Sequence, residues 1–278
     1  MRPHVLGIDH AVILVHDLDR ARDAYARMGF TLTPRGYHTL GSQNHCIMFG
    51  SDYIELLAMT KTHPAMRYYE DFLARGEGLA GIALATDDAA GAHRSLAQAG
   101  IAAEAPIEFS RPVELPGGAR DASFRVVQMP VGFTAGARLF FCQHFTRDVV
   151  WRSDCLSHAI GAIGIAAIAA VVDDPATAVR SYAGIFDETP HAIAEGLLVN
   201  TGSAPIVLST RGKIGKRLDG VELPSRPRPL VAALFIRVMD RSRAADALRK
   251  GGFAPVPMKD GSYAVGADQA HGITLVFG

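Results

Sequence analysis

An internal repeat constrains the fold of this chain more than any other feature of its sequence. Residues 8–30 read IDHAVILVHDLDRARDAYARMGF, in which an apolar run ends in an Asp and a helical stretch follows. The same order of features returns three times, at residues 79–101, 165–187 and 231–253. The Asp occupies the same place in all four copies, as Asp17, Asp88, Asp174 and Asp240. A repeat of this kind indicates that the chain is built from copies of one supersecondary unit.

Each copy predicts one strand, one helix and three further strands. The opening apolar run is rich in small and branched apolar residues, which is typical of a strand buried on both faces. The Asp lies where an N-cap residue accepts hydrogen bonds from the first amides of a helix. A Gly that can adopt a left-handed C-cap ends three of the helices, whereas the third copy has Phe186 there. Each copy closes with a short apolar segment, at residues 53–58, 139–145, 205–210 and 272–277.

Pairing of these units predicts the fold class. A single unit cannot bury its sheet face, so four βαβββ modules should pair into two cup-shaped mixed sheets of an α+β protein, each with eight largely antiparallel strands. We therefore expect two domains, residues 1–150 and residues 151–278, with the boundary in the segment 151–164. The second copy is lengthened by residues 105–123, which we expect to form a loop over one edge of the first domain.

The composition restricts the partners of the chain. Lys and Arg together number 28, as do Asp and Glu, so there is no cationic surplus of the kind that nucleic acids or an anionic membrane surface require. Three cysteines without a CxxC spacing do not indicate a disulfide framework or a structural zinc site, and we expect a reducing cytoplasm. The N-terminus shows no apolar stretch of signal-peptide length. A small-molecule substrate is the expected partner, with a homodimer left open.

Two polar residues stand out within apolar strands of the first copy. Glu55 lies in the segment YIELL, where a buried carboxylate is costly unless it meets a cation or a polar cavity. The alternative is an edge strand with Glu55 facing water. His10 heads the first strand, and the matching positions of the other copies hold Gly81, Ala167 and Ala233. Packing of the module therefore does not need a histidine, which favours a functional His10 over a core histidine.

The repeated unit resembles a known superfamily. Paired strand–helix–three-strand modules, with a His near the start and a Glu in the last strand, are similar to those of the vicinal oxygen chelate superfamily. That superfamily includes glyoxalase I, extradiol dioxygenases and bleomycin-resistance proteins. The segments IDHAVILVHDLDRA, GYHTLGSQNHCIMFGSDYIELL and LFFCQHFTRDVVW carry the resemblance, most closely to bacterial glyoxalase-like domain proteins. The resemblance implies a site inside the cup, with a divalent metal in many members and chelation of adjacent substrate oxygens.

A candidate metal site follows in the first domain. His144, in the last strand of copy two, should approach His10 and Glu55 when copies one and two pair. Two histidines and one carboxylate suit a divalent Fe, Mn, Zn or Ni ion with open positions for substrate. A register slip of one residue would turn Gln143 inward in place of His144.

Substrate-binding residues are expected around this set. The resemblance to the family's H…G(S/T)xN pattern implies that His38 and Asn44 face the cup. Of three arginines able to bind a substrate carboxylate through two hydrogen bonds, Arg111, Arg120 and Arg125, the preferred candidate is Arg125, because it lies inside the strand-like segment FRVVQM. Copies three and four have neither His nor carboxylate at the ligand positions, so we expect a structural second domain.

Two functions stay open at this point. The first is a metal-dependent enzyme of the vicinal oxygen chelate type, with lyase, isomerase or dioxygenase chemistry on a small oxygenated metabolite and Glu55 as ligand or base. The second is a metal-free protein that binds or sequesters a small molecule, as bleomycin-resistance proteins do. Gly81 favours the second function, because it has no side chain where the resemblance to glyoxalase I implies another ligand.

Overall fold

Two eight-stranded mixed sheets form the frame of the protein. The computed structural model describes residues 1–115 and 117–278, with the side chain of Ala65 left out. The first half holds strands β1 (Ile8–Leu14), β2 (Gly36–His38), β3 (Ser42–Met48), β4 (Tyr53–Met59), β5 (Gly78–Ala85), β6 (Ile107–Val113), β7 (Arg120–Gln128) and β8 (Arg138–His144). Its helices are α1 (Leu18–Arg27), α2 (Arg67–Leu73), α3 (Ala89–Gln98) and α4 (Arg147–Val150). The strand order is β2-β3-β4-β1-β5-β8-β7-β6.

The second half repeats this plan. Its strands are β9 (Ala162–Val171), β10 (His191–Ile193), β11 (Gly196–Val199), β12 (Ile206–Ser209), β13 (Leu230–Val238), β14 (Val256–Pro257), β15 (Tyr263–Val265) and β16 (Thr274–Phe277), and its helices are α5 (Pro175–Phe186), α6 (Arg211–Arg217) and α7 (Arg241–Lys250). The order β10-β11-β12-β9-β13-β16-β15-β14 matches that of the first sheet position by position. In each sheet the first strand of a module runs parallel to the module's last strand and antiparallel to the next module's first strand. The predicted fold class is confirmed.

The Asp residues that open the four repeated helices fulfil the predicted role in three cases. The side chains of Asp17, Asp174 and Asp240 each accept two backbone N–H groups from the first turn. Asp88 occupies the same position before α3, where its side chain makes no cap hydrogen bond of that geometry, although the nearby amides of Gly91 and Ala90 lower the pKa of its carboxyl. Where the third copy has Phe186 in place of Gly, Asp187 adopts the left-handed conformation, with φ of 54°, and ends the helix.

The segment expected to be a loop forms most of a β-hairpin instead. Residues 107–113 pair antiparallel with residues 120–126, from Ile107 opposite Val126 to Val113 opposite Arg120. This hairpin adds β6 to the open edge of the sheet, next to β2 of the opposite edge. The hydroxyl of Thr39 reaches the carbonyl of Ser110 across the gap, at 3.5 Å. The prediction failed because residues with strong strand preference, rather than the turn residues at its tip, decide the conformation of the segment.

The buried apolar residues form three clusters, and these show that the two cups differ: the first is lined by apolar residues, whereas the second is filled by them. The largest cluster joins the convex faces of both sheets to helices from both halves, including Tyr25, Leu96, Tyr182 and Leu248. A second cluster lines the first cup, and a third fills the second cup with α6 and the chain after it, through Ile214, Leu218 and Leu223. None of the helices in the described part of the chain has the length and apolar character needed to cross a bilayer.

Candidate active site

The pairing of β1 with β4 places His10 and Glu55 inside the first cup. The two strands run parallel, with His10 opposite Tyr53 and Val12 opposite Glu55. Since alternate residues of a strand share one face, His10, Val12 and Glu55 all face the concave side. The imidazole of His10 stacks on the ring of Tyr53, with centroids 4.3 Å apart. The Nε2 atom of His10 then lies 3.7 Å from Oε2 of Glu55.

A β-bulge adds a second carboxylate behind His10. The register between β1 and β5 shifts between Ile8 and His10, so Asp9 is an extra residue with no partner in β5. Its Oδ2 atom lies 2.8 Å from Nδ1 of His10 and 2.8 Å from Nε2 of His144. Burial raises the pKa of Asp9, but the two histidine hydrogen bonds outweigh it and hold that pKa well below its usual range. An ionised Asp9 accepts the Nδ1 proton of His10, and this hydrogen bond orients the ring so that Nε2 faces Glu55.

Glu55 lies between two histidines and has no permanent cation beside it. The carboxylate is 8 % exposed. Its Oε1 atom accepts a 2.5 Å hydrogen bond from the amide of Asn44 and lies 3.8 Å from Nε2 of His38. Burial, supplemented by the charge of Arg111, lowers the pKa of His38 to about 4, so His38 is neutral at physiological pH. Among the described residues, no Lys or Arg forms an ion pair with Glu55.

These groups line one side of a deep cavity. The cavity volume is about 90 Å³. Its polar side chains include His10, His38, Ser42, Asn44, Glu55, Arg111 and Gln128, and the wall opposite His10 is mostly apolar and aromatic. Phe109 and Phe124 stack on each other in that wall, with ring centroids 5.2 Å apart. A pocket of this kind, mostly apolar with a few convergent polar groups, suits a small organic molecule.

The structure gathers some of the sequence-predicted site residues and separates others. His10, Glu55, His38 and Asn44 all face the cavity. His144 lies beyond Asp9 at the end of β8, packed edge-on against Phe124 and Trp151, and does not reach Glu55. The set of His10, Glu55 and His144 is therefore not assembled, because the bulge at Asp9 places a carboxylate between the two histidines.

Gln143 and Arg125 point away from the cavity, and a different arginine lines it. Gln143 turns outward, donates to the carbonyl of Asp87 and accepts from the amide of Ala89 at the start of α3. Arg125 lies on the outer face of β7, where its guanidinium pairs with Glu108 at 2.5 Å. Arg111, which was the less favoured arginine, lines the cavity instead.

The second module lacks the chemistry of the first at the matching places. Gly81 corresponds to His10, and two residues further along β5 Ala83 pairs with Phe140, just as Val12 pairs with Glu55. A Cβ atom at Gly81 would lie 3.1 Å from the hydroxyl of Tyr69, so Tyr69 fills this space. The cup therefore carries its His and carboxylate on one side only.

The distances between the donor atoms of His10, His38 and Glu55 can be compared with those around a divalent cation. Metal bonds to imidazole nitrogen and carboxylate oxygen are each about 2.1 Å long, so two donors of one ion are at most about 4.2 Å apart. His10 Nε2 and Glu55 Oε2, at 3.7 Å, meet this limit, and His38 lies 3.8 Å from the other oxygen of Glu55. His10 and Glu55 can therefore share one ion, whereas no third His, Cys, Asp or Glu of the described chain has a ligand atom within 4.8 Å of both.

A second group of possible ligands lies behind His10. Asp9, Cys142 and His144 offer ligand atoms that all lie within 4.8 Å of one another, the one such cluster in the described chain. Burial raises the pKa of the Cys142 thiol far above its usual value, so a cation there would have to displace the thiol proton. The hydrogen bonds from His10 and His144 both end on Oδ2 of Asp9, and its buried Oδ1 has no hydrogen-bond partner among the described residues.

One residue of the cup, Asp9, is not a candidate in the sequence analysis, and a second, Arg111, is a candidate ranked below Arg125. Asp9 carries the same signal as Glu55, a carboxylate in an apolar strand, but neighbours on a regular strand face opposite sides, so its place next to His10 does not indicate a shared role. Arg125 is preferred over Arg111 in the sequence because it lies inside a strand-like segment. Neither the bulge nor the pairing of β6 can be inferred from local composition.

The fold and the one-sided cup define a protein of the vicinal oxygen chelate superfamily. Residues 8–186, more than half of the chain, match the family model described as "Glyoxalase-like domain". The chain belongs to this glyoxalase-like domain family. No curated protein matches its sequence.

Solved structures of similar fold span almost the whole chain. A hypothetical protein from Staphylococcus aureus is 13 % identical, with 98 % of each chain covered and a TM-score of 0.70. A mutant of 4-hydroxymandelate synthase from Streptomyces coelicolor is 15 % identical, with 100 % of this chain and 92 % of that one covered and a TM-score of 0.63. A variant of homoprotocatechuate 2,3-dioxygenase from B. fuscum is 13 % identical, with 99 % and 72 % covered and a TM-score of 0.56. At these identities the likeness concerns the fold and not the reaction.

Proposed function

We propose that the protein is an enzyme of the vicinal oxygen chelate type that acts on a small oxygenated molecule in the first cup, with a divalent cation held by His10 and Glu55. The observation that supports this most is the position of Glu55, a buried carboxylate between two histidines without a Lys or Arg in ion-pairing range among the described residues. An uncompensated buried charge is costly, and a bound cation removes that cost.

The roles of the chain's own residues follow from their contacts. Asp9 holds the proton of His10 on Nδ1, so that Nε2 keeps its lone pair. Asn44 donates to Oε1 of Glu55 and fixes the plane of the carboxylate, while Oε2 faces the cavity as ligand or as acceptor of a substrate proton. A cation bound there would act as a Lewis acid on substrate oxygens. The aromatic wall excludes water from the opposite side, and His38 and Asn44 are proposed to contact the substrate.

The first prediction concerns metal binding by purified protein. The wild-type chain, stripped of metal and titrated with Zn²⁺, Mn²⁺ and Fe²⁺, should bind at least one of them at a stoichiometry near one. Glu55→Gln and His10→Ala should each lose this binding, because they remove a donor while Gln keeps the volume of Glu. The measurement is elemental analysis after gel filtration, with circular dichroism to verify the fold.

A matched control is His191→Ala, which removes an exposed histidine from the second half and should leave the stoichiometry unchanged. A wild-type chain that binds none of the three cations would contradict the proposal. Equal binding by wild type and both cup variants would do so too, since the ion would then lie elsewhere.

A second function is supported by a separate observation. Gly81 and Phe140 stand at the positions of the second module that match His10 and Glu55, so half of the possible ligand set is missing. A metal-free cup would bind a small molecule through the same polar groups without turning it over. Ligand binding that persists undiminished after chelation with EDTA would favour this function.

A further inference from the structure

Arg111 is a buried cation without a partner in the cup. Its side chain is 7 % exposed, and it forms no hydrogen bond or ion pair with any residue that the structure describes. Arg138, which is buried to the same degree, shows the usual arrangement: its guanidinium donates to the carbonyl of Met129 and pairs with Glu104. With no protein partner, the donors of this guanidinium are left to the solvent of the cavity it lines, which points to a ligand that completes them.

The seam between β2 and β6 holds Arg111 in this position. The side chain extends from β6 towards Gly36 at the start of β2, where a Cβ atom would lie only 3.0 Å from Nη1 of the guanidinium. The same Cβ atom would lie 2.5 Å from Oδ1 of Asn44, an oxygen that is buried and has no hydrogen-bond partner among the described residues. The absence of a side chain at Gly36 thus provides room for Arg111 in the wall of the cavity.

The surroundings of Arg111 specify the kind of group it would bind. Glu55 lies in the same cavity, held on the far side of the Asn44 amide, and its negative charge opposes a highly charged anion such as a phosphate ester. A single guanidinium matches a carboxylate, which accepts two parallel hydrogen bonds from it. The stacked rings of Phe109 and Phe124 offer a flat apolar surface next to this position.

We propose that Arg111 binds the carboxylate of a small carboxylic acid whose apolar or aromatic body packs against Phe109 and Phe124. The proposal rests on the proposed function only in using the same cavity, and it names the class of substrate that the cup would accept. The carboxylate end lies at the β2–β6 seam, and the remainder of the molecule extends towards Glu55 and His10.

The test uses matched acids and amides as probes of the full-length protein. Phenylacetate and hexanoate are compared with phenylacetamide and hexanamide by chemical-shift titration up to millimolar concentrations. The wild type should bind at least one acid more tightly than its amide. Arg111→Met should weaken binding of that acid about ten- to hundredfold, the loss expected for a charged hydrogen-bonded contact, while affinity for the amide stays the same. Arg111→Lys should give an intermediate loss, because Lys keeps the charge without the paired donors.

Two surface arginines of β7 serve as controls. Arg120→Met removes an exposed arginine that pairs with Asp148, and it should leave all affinities unchanged. Arg125→Met should do the same, since Arg125 pairs with Glu108 on the outer face. Thermal unfolding of each variant shows whether it is folded.

The outcomes separate this proposal from the proposed function. Equal affinity of Arg111→Met and wild type for the acid, equal affinity of wild type for acid and amide, or no binding of any acid at millimolar concentration would each overturn the role of Arg111. Metal binding is measured in the same samples. Acid selectivity that depends on Arg111 without bound metal would uphold this inference while the metal-dependent function fails, and metal binding without acid selectivity would do the reverse.

Discussion

At the scale of single residues, the cup collects several buried ionisable groups, and Asp52 adds another at the contact between the two halves. Asp52 is 4 % exposed in the turn between β3 and β4, and its Oδ1 accepts a 3.0 Å hydrogen bond from the amide of Ile165. Burial raises the pKa of Asp52 to about 6, although the Ile165 amide and the charge of Arg237 oppose the rise. The folded protein therefore holds this proton more tightly than the unfolded chain.

The sign of the resulting pH dependence follows from the raised pKa. Stability from protonated Asp52 is fully present below pH 3.8 and is lost as pH rises through about 6. Asp52→Asn keeps an acceptor for Ile165 and removes the charge, so it should raise the free energy of unfolding by about 1–3 kcal/mol at pH 7.5 and by much less at pH 4. Urea denaturation of both proteins at the two pH values measures this.

The exposed Asp71 provides the control for this prediction. Its side chain is 66 % exposed, so Asp71→Asn should change stability little at either pH. A stabilisation by Asp52→Asn that is equally large at pH 4 and pH 7.5 would show that the carboxylate's titration is not its cause.

At the scale of elements, the four repeated helices differ in how they begin. Asp174 accepts hydrogen bonds from Ala176 and Thr177, whereas Asp88 makes no cap bond in α3. Asp174→Ala should therefore lower the free energy of unfolding by about 1 kcal/mol, the usual worth of an N-cap, and Asp88→Ala should lower it distinctly less. Chemical denaturation of the two variants compares the same substitution at the same place in the repeat. Equal losses of unfolding free energy in the two variants would mean that the cap hydrogen bonds of Asp174 add nothing measurable to stability.

The elements also show what the sequence could predict and what it could not. The sequence could predict that Glu55 faces the cup, because a charged group within an apolar strand has a free-energy cost unless it meets a partner or a polar cavity. It could predict the same of His10, because the other copies hold Gly or Ala at the matching position. The orientation of Arg125 depends instead on which residues of β7 face the cup. Side chains alternate between the two faces of a strand, so Arg125 points outward because its neighbours Phe124 and Val126 face the cup. The pairing of β7 with β8 decides which alternate residues face inward, and no local sequence pattern specifies that pairing.

The same limit explains the residues at the strand ends. A bulge at Asp9 shifts the register of β1 by one residue, and this shift places Asp9 rather than Glu55 beside His144. Repeat spacing predicts modules and their pairing, because each module must bury one sheet face. It does not predict an inserted residue, whose effect is local and depends on the partner strand.

At the scale of the whole molecule, the two halves share one hydrophobic core. The largest apolar cluster is continuous between them, and buried hydrogen bonds cross the contact. Among these bonds are those from the hydroxyl of Tyr25 to the carbonyl of Ala270, at 3.2 Å, and from the amide of Thr31 to Nδ1 of His158, at 3.0 Å. A cut between the halves would expose apolar surface on both.

Thermal unfolding should therefore be a single cooperative transition for the intact chain. Calorimetry should give a van't Hoff enthalpy close to the calorimetric enthalpy, because neither half keeps its core without the other. Tyr25→Phe, which removes only the bond to Ala270, should lower the transition temperature without splitting the transition. Two resolved transitions in the wild type would instead indicate halves that are stable on their own.

The filled second cup has a consequence for how such a chain can diverge. Its interior is occupied by Ile214, Leu218 and Leu223. Substitutions there are limited only by side-chain volume and apolar character. The convex face of the same sheet must still pack against the other half. A duplicated half is thus free to lose every reactive group yet cannot be discarded, because its partner would lose the surface it packs on. Among relatives, substitutions should accumulate inside the second cup and be sparse where the two sheets meet.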